Sequence, residues 1–162
     1  MLKQLLVGSL LLLCTSPLFA AEQIGTVNWI YDGDTLLVAD IGKVRLLGID
    51  TPEVQDSQRD RFYLEQFSIG RKRLRTVAHQ AKRFNIKMAK GAQVRLVSDG
   101  EQRDKYGRLL VYLYLPDGRL LNRILLEKGL ATVFRRYQFS FKDDFLATEK
   151  AAHSAAIGLW QQ

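Results

Sequence analysis

A chain of 162 residues with a formal net charge of +7 has the length of one domain and can fill a core without crosslinks. The positive balance suits polyanionic partners, because lysines and arginines displace condensed counterions from phosphates. The single cysteine, Cys14, falls in an N-terminal leader. The mature chain would then have no disulfide, no thiolate metal site and no cysteine nucleophile.

Residues 1–21 carry Lys3, an apolar run from Leu5 to Leu13, and Ala20-Ala21 at the expected cleavage point. This is the pattern of a secretory signal peptide, too short for a membrane span. It predicts a secreted or periplasmic protein with no stable membrane association, whose folded domain is residues 22–162. Residues 25–31 and 35–39 are rich in β-formers and flank Asp32-Gly33, a hairpin-turn dipeptide. After Asp40-Ile41-Gly42 a third strand is predicted over 43–49, ended by Thr51-Pro52. Residues 53–72 show no clear period and read as a long exposed loop with many basic residues. A helix is predicted over 75–90, with Val77, Ala81, Phe84 and Met88 on its core face and Gly91 as its stop. Strands over 93–98 and 108–115 follow, the second with Leu109, Val111, Leu113 and Leu115 in alternation. A short helix over 121–128 ends at Gly129. The last helix is predicted over 141–156, with Ser140 and Asp143 as a capping box. Five short strands with a helix after the third suit an α+β fold, a five-stranded Greek-key barrel of the OB type with three α-helices.

Four segments carry residues suited to chemistry. Asp32-Gly33-Asp34-Thr35 holds a second carboxylate that a hairpin turn does not require. Residues 45–53, Arg-Leu-Leu-Gly-Ile-Asp-Thr-Pro-Glu, place an arginine in an apolar strand and two carboxylates around its end. Strict alternation would put Arg45 and Asp50 on opposite faces, and a bend near Gly48 would bring them together. Asp104-Lys105-Tyr106-Gly107-Arg108 forms a polar turn. Residues 134–139 interleave Arg135 and Arg136 with aromatics, including Tyr137, which suits both base stacking and packing on a barrel. Oxygen donors such as Asp34, Asp50 and the Thr51 carbonyl suit a hard cation. Arginines suit phosphate, and Glu53 is available as a base. His79 and His153 have no carboxylate cluster beside them in sequence and read as surface or packing residues.

These segments, with Gly129-Leu130-Ala131 and Gly158-Leu159-Trp160, resemble the staphylococcal-nuclease (thermonuclease) family in order and spacing across nearly the whole mature chain. The resemblance implies a nuclease that cuts DNA and RNA to 3′-phosphorylated products. It implies one calcium ion held by Asp34, Asp50 and the Thr51 carbonyl, water activated by Glu53, and the phosphate gripped by Arg45 and Arg108. It further implies that Lys105, Tyr106 and Tyr137 contact the nucleotide. Arg135 stands where the family has a nucleotide-contacting tyrosine, so phosphate contact is expected to replace stacking there. The basic stretch 54–73 is longer than in the best-known family member. A monomer is expected. The competing reading is a non-catalytic OB-fold protein that binds single strands, and the complete acid–arginine set argues against it.

Overall fold

The computed structural model describes residues 22–100 and 103–161, so the predicted leader at 1–21 lies outside the described residues. Strand β1 (Glu22–Ile30) pairs antiparallel with β2 (Thr35–Val38), and β2 with β3 (Gly42–Leu46). These are the predicted meander. Val27, Ile30, Leu36, Val38, Val44 and Leu46 are buried, with a bulge in β1 absorbing the three-residue step from Val27 to Ile30, so one face of the meander is core. Strands β5 (Gln93–Val97) and β6 (Leu109–Tyr114) form an antiparallel pair. β6 runs parallel to β3, and β5 closes on β1 to complete a barrel ordered β1-β2-β3-β6-β5. That is the five-stranded OB arrangement, within an α+β fold.

The predicted third strand ends early. Leu47 still donates to the Val111 carbonyl, but Gly48 adopts φ +80° and turns the chain out of the barrel. Residues Ile49–Asp50 (β4) pair instead with β7, Thr132–Val133, in a separate two-stranded ribbon. Two-residue strands have no period, so β7 carries no sequence signal of its own.

The stretch predicted as a loop contains α1 (Arg59–Phe67). Its sequence is polar, and tertiary contacts fix it. Tyr63 is fully buried, Phe67 stacks edge-on against Trp160, and Asp60 pairs with Arg75. Helix α2 (Arg71–Ala89) starts four residues before the predicted Arg75, directly after the extended Gly70. Its core face includes Val77 and Ala81, as predicted, and also Leu74, Ala78, Asn85 and Ala89. Helices α3 (Leu121–Glu127) and α4 (Lys142–Ser154) pack on each other. The α-helices therefore number four among the described residues, one more than predicted. The predicted capping box does not form. Ser140 bonds both carboxylate oxygens of Asp99 at 2.8 Å, while Asp143 and Asp144 in the first turn of α4 complement the positive end of the helix dipole.

Gly48 is the residue on which the path of β4 turns. A Cβ there would lie 2.6 Å from the Phe139 ring, on a left-handed backbone. Gly48→Ala combines conformational strain with overpacking, so it is expected to cost about 3 kcal/mol. Urea unfolding of the purified variant measures that loss directly.

Candidate active site

The site begins at the first hairpin. One Asp32 oxygen accepts the backbone N–H groups of Asp34 and Thr35, at 2.9 and 2.7 Å, so Asp32 forms the turn. Gly33 is pressed between Thr51 and Ala81, where a Cβ would lie 2.7 Å from the Thr51 hydroxyl. The buried Asn85 amide of α2 donates to the Gly33 carbonyl at 2.8 Å. Helix α2 thus clamps the turn and aims Asp34 inward.

Asp34 is 3% exposed. One of its oxygens accepts from Arg45 Nη1 at 2.6 Å and from the Thr35 hydroxyl at 3.0 Å. The other accepts the Thr51 backbone N–H at 3.2 Å. Because β4 leaves the barrel at Gly48, Asp50 comes round to the side of β3 that bears Arg45, and Arg45 Nη2 reaches an Asp50 oxygen at 2.9 Å. The predicted bend therefore exists. One guanidinium spans two nearly buried carboxylates. Burial pushes the Asp34 carboxyl above its ordinary value, against the opposing pull of Arg45. Burial works against the charge on Arg45 as well, yet Asp34 and Asp50 outweigh it and strengthen its hold on the proton.

Arg108 arrives from the turn before β6. It pairs with Asp104 through Nε at 2.7 Å, and its Nη1 donates to the Thr35 hydroxyl at 2.9 Å. The Thr35 hydroxyl therefore links Arg108 to Asp34, and both predicted arginines converge on one point. Glu53 is exposed, and among the described residues none donates a hydrogen bond to its carboxylate. Partial burial, with Asp32, Asp34 and Asp50 beside it, raises its pKa. Its acceptor capacity is unspent among the described residues.

The sequence reading missed the supports. Arg59 of α1 grips the second Asp50 oxygen through Nε at 3.1 Å and Nη2 at 2.7 Å, and its guanidinium lies over the Phe62 ring. The buried Tyr63 hydroxyl lies 3.1 Å from the same oxygen and from the Asp50 carbonyl. Arg75 of α2 donates to the carbonyls of Glu53 and Gln55, which fixes the chain that carries Glu53. The available signal was the spacing of Phe62, Tyr63 and Phe67, which places three aromatics on one side of a short helix.

The remaining predicted contacts are distributed around this cluster. Tyr106 is 71% exposed, with Lys105 and Arg108 over its ring at 4.9 and 5.4 Å. Tyr137 is exposed and leans on Phe134, whose ring lies 5.9 Å from the Arg59 guanidinium. Arg135 is engaged elsewhere, by the buried Glu149 and the Val133 carbonyl. His79 is exposed, and His153 is edge-on to Trp160.

An OB-type barrel that gathers guanidinium groups and carboxylates at one rim defines a protein built to meet phosphate esters. The comparisons agree, because residues 43–162 match the staphylococcal nuclease homologue family, and the chain belongs to it. A protein of Methanocaldococcus jannaschii, MJ1439, is 36% identical over 147 residues, covering 84% of this chain and 70% of that protein. Endonuclease YncB of Bacillus subtilis is 32% identical over 143 residues, covering 85% of this chain and 61% of YncB. Thermonuclease of Staphylococcus hyicus is 28% identical over 145 residues, covering 87% of this chain and 78% of the thermonuclease. The chain thus spans less than two thirds of YncB.

Since Arg45 is the shared partner of two nearly buried carboxylates, its loss leaves both without their common cation. Arg45→Ala is expected to lower the unfolding free energy by about 3 kcal/mol. Arg108→Ala, whose Asp104 partner sits in a more open turn, is expected to cost about 1 kcal/mol or less. Equal stabilities of the two variants in urea titrations would contradict this ranking.

Proposed function

We propose that this chain is a calcium-dependent nuclease that hydrolyses phosphodiester bonds of DNA and RNA to 3′-phosphorylated products. The observation that carries the reading is the convergence of Arg45 and Arg108 on Asp34 and Thr35, beside Asp50 and Glu53. Planar guanidinium groups match the equatorial oxygens of a phosphoryl group in transfer. A phosphate entering the cleft offers Arg45 the same bidentate partner that the two carboxylates offer. Arg108, anchored by Asp104, stabilises the charge that develops on the phosphate. Glu53 orients the attacking water and accepts its proton. The bond to the 5′ oxygen breaks, that oxygen leaves as a hydroxyl by taking a proton from solvent, and the phosphate stays on the 3′ side.

The donor chemistry at the cleft fits a hard cation. Asp34, Asp50 and Glu53 offer oxygen alone, and the combined field of Asp32, Asp34 and Asp50 on Glu53 exceeds the relief from Arg45. Among the described residues no three His, Cys, Asp or Glu side chains surround one point. By the family resemblance, Asp34, Asp50 and the Thr51 carbonyl would hold the calcium ion. When bound it supplies Lewis-acid polarisation of the phosphate. We further propose that the leader directs export.

Digestion of plasmid and of single-stranded DNA and RNA, with calcium and then with excess chelator, tests the proposal. Cleavage with calcium, arrest on chelation and 3′-phosphate ends are expected. Arg108→Ala is expected to slow the rate about a hundredfold or more. Glu53→Gln is expected to keep calcium affinity, read by calorimetry, while turnover collapses. Binding of oligonucleotides without any cleavage would instead favour the non-catalytic reading.

A further inference from the structure

We propose that the outer face of β1–β3 is a track for single-stranded nucleic acid that continues from the cleft, with Trp29 and Tyr31 as stacking platforms. The proposal rests on the nuclease reading and extends its substrate site beyond the scissile phosphate.

The register defines the track. Thr35 pairs with Arg45 across β2 and β3, and the Tyr31 N–H donates to the Thr35 carbonyl, so one rung of the sheet runs Tyr31–Thr35–Arg45. Two residues along, Trp29 pairs with Leu37 and Leu37 with Lys43, giving a second rung, Trp29–Leu37–Lys43. Val27, Ile30, Leu36, Val38, Val44 and Leu46 take the inward positions, so both rungs lie on the outer face. The first rung holds cleft residues. The second lies about 7 Å further along the same strands.

The composition of this face suits a polyanion with exposed bases. Trp29 is 50% and Tyr31 36% exposed. Lys90 Nζ lies 5.0 Å from the Trp29 ring centre, and Lys43 Nζ lies 4.4 Å from that of Tyr31. Neither rung contains a carboxylate. Lys90, the residue that ends α2 in extended backbone, carries its ammonium to this face. Aromatic faces stack bases of any identity, and adjacent ammonium groups take the phosphates. A duplex keeps its base faces stacked internally, so it cannot use such platforms.

The test measures binding in chelator, where cleavage is arrested. The anisotropy of a labelled thymidine dinucleotide is compared with that of an oligothymidylate of about twenty residues. The wild-type chain is expected to favour the longer ligand. Trp29→Ala is expected to cut that length advantage about tenfold, and Trp29→Phe to restore most of it. Lys90→Ala is expected to flatten the logarithmic salt slope for the longer ligand by about 0.7. Intrinsic fluorescence gives a second readout, because Trp160 is 8% exposed and quenching by the ligand reports Trp29. If the wild-type chain neither binds nor cuts any oligonucleotide, the nuclease reading itself fails. If it cuts and binds but Trp29→Ala keeps the full length advantage, the track alone is overturned. Trp29-dependent binding of a duplex as tight as that of the single strand, or no quenching on saturation, also overturns it.

Discussion

The rest of the site depends on one guanidinium shared by two carboxylates. Arg45 reaches Asp34 with one nitrogen and Asp50 with another, and both acids are nearly out of water. Burial disfavours the charged form of Asp34, and Arg45 opposes that effect. Charge pairs of this kind add little net stability against an apolar alternative, but removing one partner is costly. The arrangement therefore reads as a specification of position: it fixes the hairpin of β1 and β2, the β3 strand and the β4 excursion relative to one another. Those are the three pieces of chain that carry the acids and the arginine.

The surrounding elements hold that triad in place. Helix α2 supports it twice, through Asn85 on the Gly33 carbonyl and through Arg75 on the Glu53 carbonyl. Helix α1 supports it from the other side, where Arg59 and Tyr63 occupy the Asp50 oxygen that Arg45 leaves free. Every carboxylate oxygen of Asp34 and Asp50 thus has a donor. Side chains locked in this way keep a phosphate-binding geometry more accurately than side chains on free loops. Glu53 differs in having a fixed backbone and an unbound carboxylate, which suits a group that must exchange partners with water.

The barrel strands were legible because their apolar residues alternate, and the first hairpin because Asp32-Gly33 leaves few alternatives. The catalytic candidates were legible as segments with chemistry that a turn or a strand does not need. Helix α1 and strand β7 were not. The helix gains its order from the buried Tyr63 and from two ion pairs to residues elsewhere in the chain, Arg59 with Asp50 and Asp60 with Arg75. Strand β7 is two residues whose pairing is decided by where Gly48 sends β4. The failed capping box has the same origin, because Ser140 finds a better partner in Asp99, forty-one positions earlier. In each case a contact remote in sequence outweighs a local preference, and a local reading cannot see it.

The same remoteness explains why one strand can serve two tasks. β3 alternates between the core and an outer face, and its outward residues are Lys43 and Arg45. Arg45 is bound by acids, so its charge is largely neutralised. Lys43 stands over an aromatic ring with no acid on its rung, so its charge is open to solvent. The two outward positions of β3 therefore differ in kind: two acids hold Arg45 in a defined geometry, and no residue of the Lys43 rung balances its charge.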